Sequence, residues 1–206
     1  MVKAQSSSGE RDAIDMLMED HKRVQKLLKD FEKVERDDAH AVRELVETAC
    51  MELQIHSMLE EEIFYPAVRS QVADDDGDRQ DLLNEAEVEH EAIDELIAKL
   101  QELEADDPMY CAHFAVVGEY VKHHIKEEEK ELFPEVKKMK TLDLQQIAED
   151  MRLRREELFA QIEEGESETE KESASPQEPD ATLAEVDSEE DSEDAQEQVD
   201  ITRTRH

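Results

Sequence analysis

One stretch of this chain, used twice, constrains its fold more than any other feature. Ile55-His-Ser-Met-Leu-Glu-Glu-Glu-Ile-Phe-Tyr-Pro66 and His123-His-Ile-Lys-Glu-Glu-Glu-Lys-Glu-Leu-Phe-Pro134 superimpose at an offset of 68 residues. His56 then falls on His124, Glu60 on Glu128, Phe64 on Leu132, Tyr65 on Phe133 and Pro66 on Pro134. Each copy holds a His and a Glu four residues apart, a spacing that a helix places on one face about one turn apart. A ring nitrogen and a carboxylate so placed suit an ion that takes mixed nitrogen and oxygen ligands. A single pair of this kind arises by chance in many acidic helices. Two pairs with matched surroundings do not.

A second repeat supplies partners. Asp20-His-Lys-Arg-Val-Gln-Lys-Leu-Leu28 matches Glu89-His-Glu-Ala-Ile-Asp-Glu-Leu-Ile97 at an offset of 69, with His21 on His90, Val24 on Ile93, Leu28 on Ile97 and Phe31 on Leu100. The apolar positions recur at three- and four-residue steps, the pattern of a buried helix stripe, and each His points at the same core. The order along the chain is therefore His, His-x-x-x-Glu, His, His-x-x-x-Glu. Two helical hairpins, each with two His and one Glu, can close around two metal ions. The expected ligands are His21, His56, Glu60, His90, His124 and Glu128, with the two carboxylates bridging. Glu61 and Glu129 lie about 100° further round their helices and are expected to face a neighbouring helix or water. His40, His113, His123 and His206 have no counterparts at either offset and are read as structural or exposed.

Composition limits what else the chain can be. Its net charge of −35 argues against nucleic-acid backbones and anionic membranes as partners. No apolar run reaches membrane-spanning length and the first ten residues lack a signal-peptide core, so a cytoplasmic location is expected. Residues 163–206 hold 17 Asp or Glu against Lys171, Arg203 and Arg205, a balance of −14 that leaves −21 for residues 1–162. With almost no large apolar residues, that stretch is expected to be an acidic disordered tail, a solubility element or a docking arm for a basic protein. Cys50 and Cys111 sit among apolar neighbours and read as buried small side chains.

The helix signals place the repeats. Residues 1–10 read as a loose leader, and residues 11–162 as the folded domain. A first helix is expected from about Arg11 to Val34, and Asp37-Asp38 should cap a second that ends or kinks near Pro66. Residues 73–78 form a loop before a third helix, about Arg79 to Leu103. Asp107-Pro108 opens a fourth, which again meets a proline at Pro134. A fifth, Leu142 to Ile162, docks by an apolar stripe, and its Arg152, Arg154 and Arg155 offset the acidic surroundings. With four glycines and few β-branched alternations, the chain is all-α.

The ordered ligand set, with an aromatic residue and a proline after each Glu, resembles the hemerythrin-like (HHE cation-binding) domain over roughly residues 10–160. The resemblance implies an up-down-up-down four-helix bundle around a non-haem di-iron centre, two Fe ions bridged by oxo and carboxylate groups. His21, His56, His90 and His124 would be terminal ligands and Glu60 and Glu128 bridges. Oxygen-carrying relatives have a further His one turn from the third, where this chain has Ala86 and Asp94. They also carry an Asp five residues after the last His, where this chain has Glu129. Water, Asp94 or Glu87 would fill the missing position. The ferritin-like alternative needs a repeated Glu-x-x-His; Glu87 precedes His90, but Met18 stands at the matching place before His21. The function implied is binding of oxygen or a related small oxidant, as carrier, store or sensor. The rivals are a di-iron enzyme acting on peroxide or nitric oxide, an iron donor for repair of damaged centres, and a regulatory module working through the tail.

Overall fold

The computed structural model describes residues 11–73 and 76–173. The chain divides into two units, residues 1–167 and 168–206. The expected leader and the expected tail beyond residue 173 lie outside the described residues. Helix α1 spans Ala13–Phe31, α2 Ala39–Leu59, α3 Gly77–Gln101, α4 Pro108–Glu127 and α5 Leu144–Ser173. No strand occurs among the described residues.

Each of the first four helices starts where an Asp can cap it. The Asp12 carboxylate accepts from the Asp15 N–H at 2.9 Å, Asp38 from Ala41 at 3.0 Å, Asp76 from Arg79 at 3.4 Å and Asp107 from Met109 at 2.7 Å. Caps of this kind are worth about 1 kcal/mol each. Short connections make α1 and α2 one hairpin and α3 and α4 a second, packed into a four-helix, up-down-up-down bundle.

The expected end or kink near Pro66 takes the form of a π turn, and a second π turn precedes Pro134. Neither proline stops its helix. Glu60–Phe64 and Glu128–Leu132 form single π turns, closed by the Tyr65 N–H on the Glu60 carbonyl and the Phe133 N–H on the Glu128 carbonyl. Regular helix resumes over Tyr65–Arg69 and Phe133–Val136, with the proline in its first turn. A proline in an unbroken α-helix lacks an N–H and presses its ring on the carbonyl four residues back. Widening the preceding turn relieves both problems, and π turns of this sort gather at functional sites.

Helix α5 runs beyond the expected end at Ile162, so residues 163–173, expected as tail, are helical. The glutamates of that stretch are good helix formers even without an apolar stripe.

Apolar side chains form two layers. One holds Leu17, Leu59, Phe64, Tyr65, Leu83, Phe133 and, from α5, Ile147, Ala148, Met151 and Leu158. The other holds Val24, Leu28, Phe31, Val46, Leu53, Ile97, Phe114, Val117 and Val121. Gly118 lets α4 approach α1 closely, since a Cβ there would stand 3.2 Å from a Leu28 methyl. Both Cys50 and Cys111 are free thiols; Cys50 is buried, and burial pushes its thiol up to about 12. The polar residues of the repeats lie between the two layers.

Candidate metal centre

All six expected ligands are buried in that polar layer: His21, His56, Glu60, His90, His124 and Glu128 are each under 5% exposed. They fall into two groups. His21, His56, Glu60 and Glu128 have one donor atom each within 4.8 Å of one another, and so do Glu60, His90 and His124. Glu60 belongs to both. Glu128 reaches both as well, since its Oε2 is 3.1 Å from His21 Nε2 and 3.3 Å from His124 Nε2.

The imidazoles all face inward by the same atom. Nε2 of His56 and of His90 lie 3.2 and 3.4 Å from Glu60 Oε2. The Nδ1 atoms face outward, each toward a carboxylate: His21 to Glu129 at 3.0 Å, His90 to Glu61 at 2.8 Å, His124 to Glu89 at 2.9 Å and His56 to Asp20 at 3.6 Å. For His21, His90 and His124 the carboxylate accepts from Nδ1–H, which fixes the tautomer that leaves a lone pair on Nε2, the arrangement typical of metal-bound histidine. His56 Nδ1 faces the Asp20 charge without a hydrogen bond.

These four carboxylates obey the repeat. The residue before the first His of each half faces the second His of the same half: Asp20 to His56, Glu89 to His124. The residue after the donor Glu crosses over, Glu61 to His90 and Glu129 to His21. Glu61 and Glu129 do face neighbouring helices, as the helical angle predicts, and what they find there is the imidazole of the other hairpin.

Tyr65 breaks the symmetry. Its hydroxyl donates to Glu128 Oε1 at 2.9 Å and lies 3.4 Å from Glu60 Oε2, while Phe133 at the equivalent place has no hydroxyl. Burial, then the charges of Glu128 and Glu60, push the phenol well above its ordinary value, so it remains a donor. The other positions considered from sequence stay apart: Glu87 pairs with Arg69 at 2.9 Å, and neither it nor Asp94 joins a donor group. His123 is exposed and shares Glu89 and Glu127 at 3.4 and 3.2 Å.

Three observations fit a cation here. First, His21 Nε2, His56 Nε2, Glu60 Oε1 and Glu128 Oε2 are buried with no hydrogen-bond partner, although opposing donors lie close by. Buried polar atoms are rarely left unsatisfied. Second, Nε2 of His90 and of His124 stand 3.1 Å apart, a contact that a shared proton satisfies in the metal-free chain and that an ion beside both nitrogens would replace. Third, Asp20, Glu60, Glu61, Glu89, Glu128 and Glu129 are six negative charges, met by the two guanidiniums of Arg23 and Arg155.

The protonation of the bare site shows the same demand. Burial opposes charge on His90, yet Glu60 and Glu61 outweigh it and hold the ring up to about 9. His124 is driven well above its ordinary range by Glu128 and Glu89 against burial, and His21 is raised by Glu128. Burial would raise Glu128, but His124 and His21 hold it well below the usual carboxylate range. Protons here stand where metal ions bind, so metal uptake must release them.

Comparison with known proteins agrees. No curated protein matches the chain. A solved structure that matches it is that of a hemerythrin HHE cation binding domain-containing protein from Mycobacterium kansasii, described as a homologue of Rv2633c. It shares 20% identity over 72% of this chain and 88% of that one, with a TM-score of 0.59, and so shares the fold. The sequence model of the Hemerythrin HHE cation binding domain matches residues 12–136, which include all six donors. With the bundle, the repeat and both donor groups in place, the chain belongs to the hemerythrin HHE cation-binding domain family.

Proposed function

We propose that this chain holds two iron ions and binds oxygen or a related small oxidant, as carrier, store or sensor. The observation that supports the reading is a pair of adjoining donor groups, His21 with His56 and His90 with His124, that share the carboxylates of Glu60 and Glu128. Two imidazoles and two shared carboxylates would leave part of each metal's coordination to an incoming ligand, which a site for a small molecule requires. Mixed imidazole and carboxylate donors suit iron, and iron would supply the redox chemistry toward such a ligand. The protein's part is to hold donors, exclude bulk water between two apolar layers, and keep a hydroxyl proton on Tyr65 at the edge of the carboxylates. No described helix is long and apolar enough to cross a membrane.

Anaerobic titration with ferrous iron, followed by air, tests the proposal. Uptake near two equivalents and an absorption band of an oxo-bridged pair are expected. A stoichiometry of one, or preference for zinc with no such band, overturns it.

A further inference from the structure

Helix α5 lies wholly beyond the residues that the family model covers, yet it reaches the centre. Ile147, Ala148, Met151 and Leu158 seat it on the bundle. From that seat three arginines extend, all toward the first half of the repeat. Arg152 donates to the Arg11 carbonyl at 2.9 Å. Arg154 forks onto Glu62, at 2.6 and 3.1 Å, within the π turn that carries Glu60 and Glu61. Arg155 forks onto Asp20, Nη1 to Oδ1 at 3.0 Å and Nη2 to Oδ2.

Asp20 is 1% exposed and is the carboxylate that faces His56. A buried carboxylate is costly unless paired, and Arg155 is the partner that enters from another helix. Arg23 supplies the remaining contact from α1 itself. The matched carboxylate of the second half, Glu89, meets no guanidinium among the described residues; His123 and His124 are its partners. The buried link from α5, Arg155 to Asp20 to His56, therefore runs to an imidazole of the first donor group.

We infer that Arg155 is a positioning residue, acting through Asp20 on His56, which couples the docking of α5 to metal occupancy at the His21–His56 position and not at the His90–His124 position. Outer carboxylates that orient a ligating His typically change metal affinity 10–100-fold. Coupling of this kind is reciprocal: if docked α5 favours the metal, the metal favours docked α5. The inference rests on the two-ion reading above.

Two measurements on the full chain test it. In iron titrations, Arg155→Gln is expected to weaken one of the two equivalents about 10–100-fold and leave the other as in the wild type. A residue of merely structural importance would move both. In hydrogen exchange on the wild-type chain, iron is expected to slow the amides of α5, a readout that needs no substitution. Two undiminished equivalents in Arg155→Gln, equal weakening of both, or exchange in α5 indifferent to iron would overturn the coupling while leaving the two-ion reading intact. Fewer than two equivalents in the wild type would overturn both.

Discussion

The two halves of the repeat are alike in their donors and unlike in what surrounds them. Around His21 and His56, the outer carboxylate Asp20 is sealed by Arg155 and Arg23, and the Phe133 ring stacks on His21. Around His90 and His124, Glu89 is partly open to water, a neighbouring surface His shares it, and the Tyr65 ring stacks on His90 while its hydroxyl donates to Glu128. Duplicated donors keep the ions; divergence around them makes the two positions different.

The comparison can be broken at its centre. Glu60→Ala and Glu128→Ala each remove a carboxylate common to both positions and are expected to leave one iron or fewer per chain. Glu61→Ala and Glu129→Ala remove only the partner of one imidazole, so near two irons should remain, bound about 10–100-fold more weakly at the affected position. Metal analysis after dialysis separates the outcomes, and equal losses from both pairs would show that the π turns put different carboxylates inside.

Replacing Tyr65 by Phe makes the two halves alike. It deletes the 2.9 Å hydrogen bond to Glu128 and leaves a buried carboxylate oxygen unsatisfied, at a cost of about 1–3 kcal/mol in thermal or denaturant unfolding of the iron-loaded chain. The reverse change, Phe133→Tyr, is expected to bring no matching gain, and an equal gain would mean that the asymmetry is incidental.

A pH series sharpens the contrast between bare and loaded protein. In the bare chain His90 is raised from an ordinary 6.5 to about 9. A raised folded-state value means that the contribution of its proton is fully present below 6.5 and is lost as pH climbs through about 9. The metal-free chain should melt at a lower temperature near pH 10 than near pH 6. The iron-loaded chain, with metal in place of that proton, should show no such decline across the window, and parallel curves would contradict the exchange of proton for metal.

The smallest effect is expected from deleting residues 174–206, which hold none of the six donors or their carboxylate partners. Iron content and melting temperature should both stay at the full-length values. A truncated chain that loses either would place part of the fold beyond α5.

The donors were legible because a helix turns one period into one face: four residues from His56 to Glu60 and from His124 to Glu128 leave little choice. The outer carboxylates were half legible. Asp20 and Glu89 align in the repeat, as do Glu61 and Glu129, but their partners sit on other helices. Only the packing of the hairpins reveals that Asp20 meets His56. The π turns were announced by Pro66 and Pro134, yet a proline tells only that the regular ladder must yield, by an end or a kink, and here it yielded by widening. The arginines of α5 read from sequence as a balance to acidic surroundings. Arg154 and Arg155 in fact meet single acids 92 and 135 residues earlier, distances at which local pattern is silent.

The crossed pairs, Glu61 with His90 and Glu129 with His21, carry a consequence for exchange. Each hairpin steadies a ligand of the other, so neither hairpin alone presents a finished binding site. For an ion to escape, fraying at a helix end is not enough; the two hairpins must part. Residence time of the metal is then set by the slowest large motion of the bundle, and the chain is expected to hold its cargo through brief local openings and to surrender it only on coming apart.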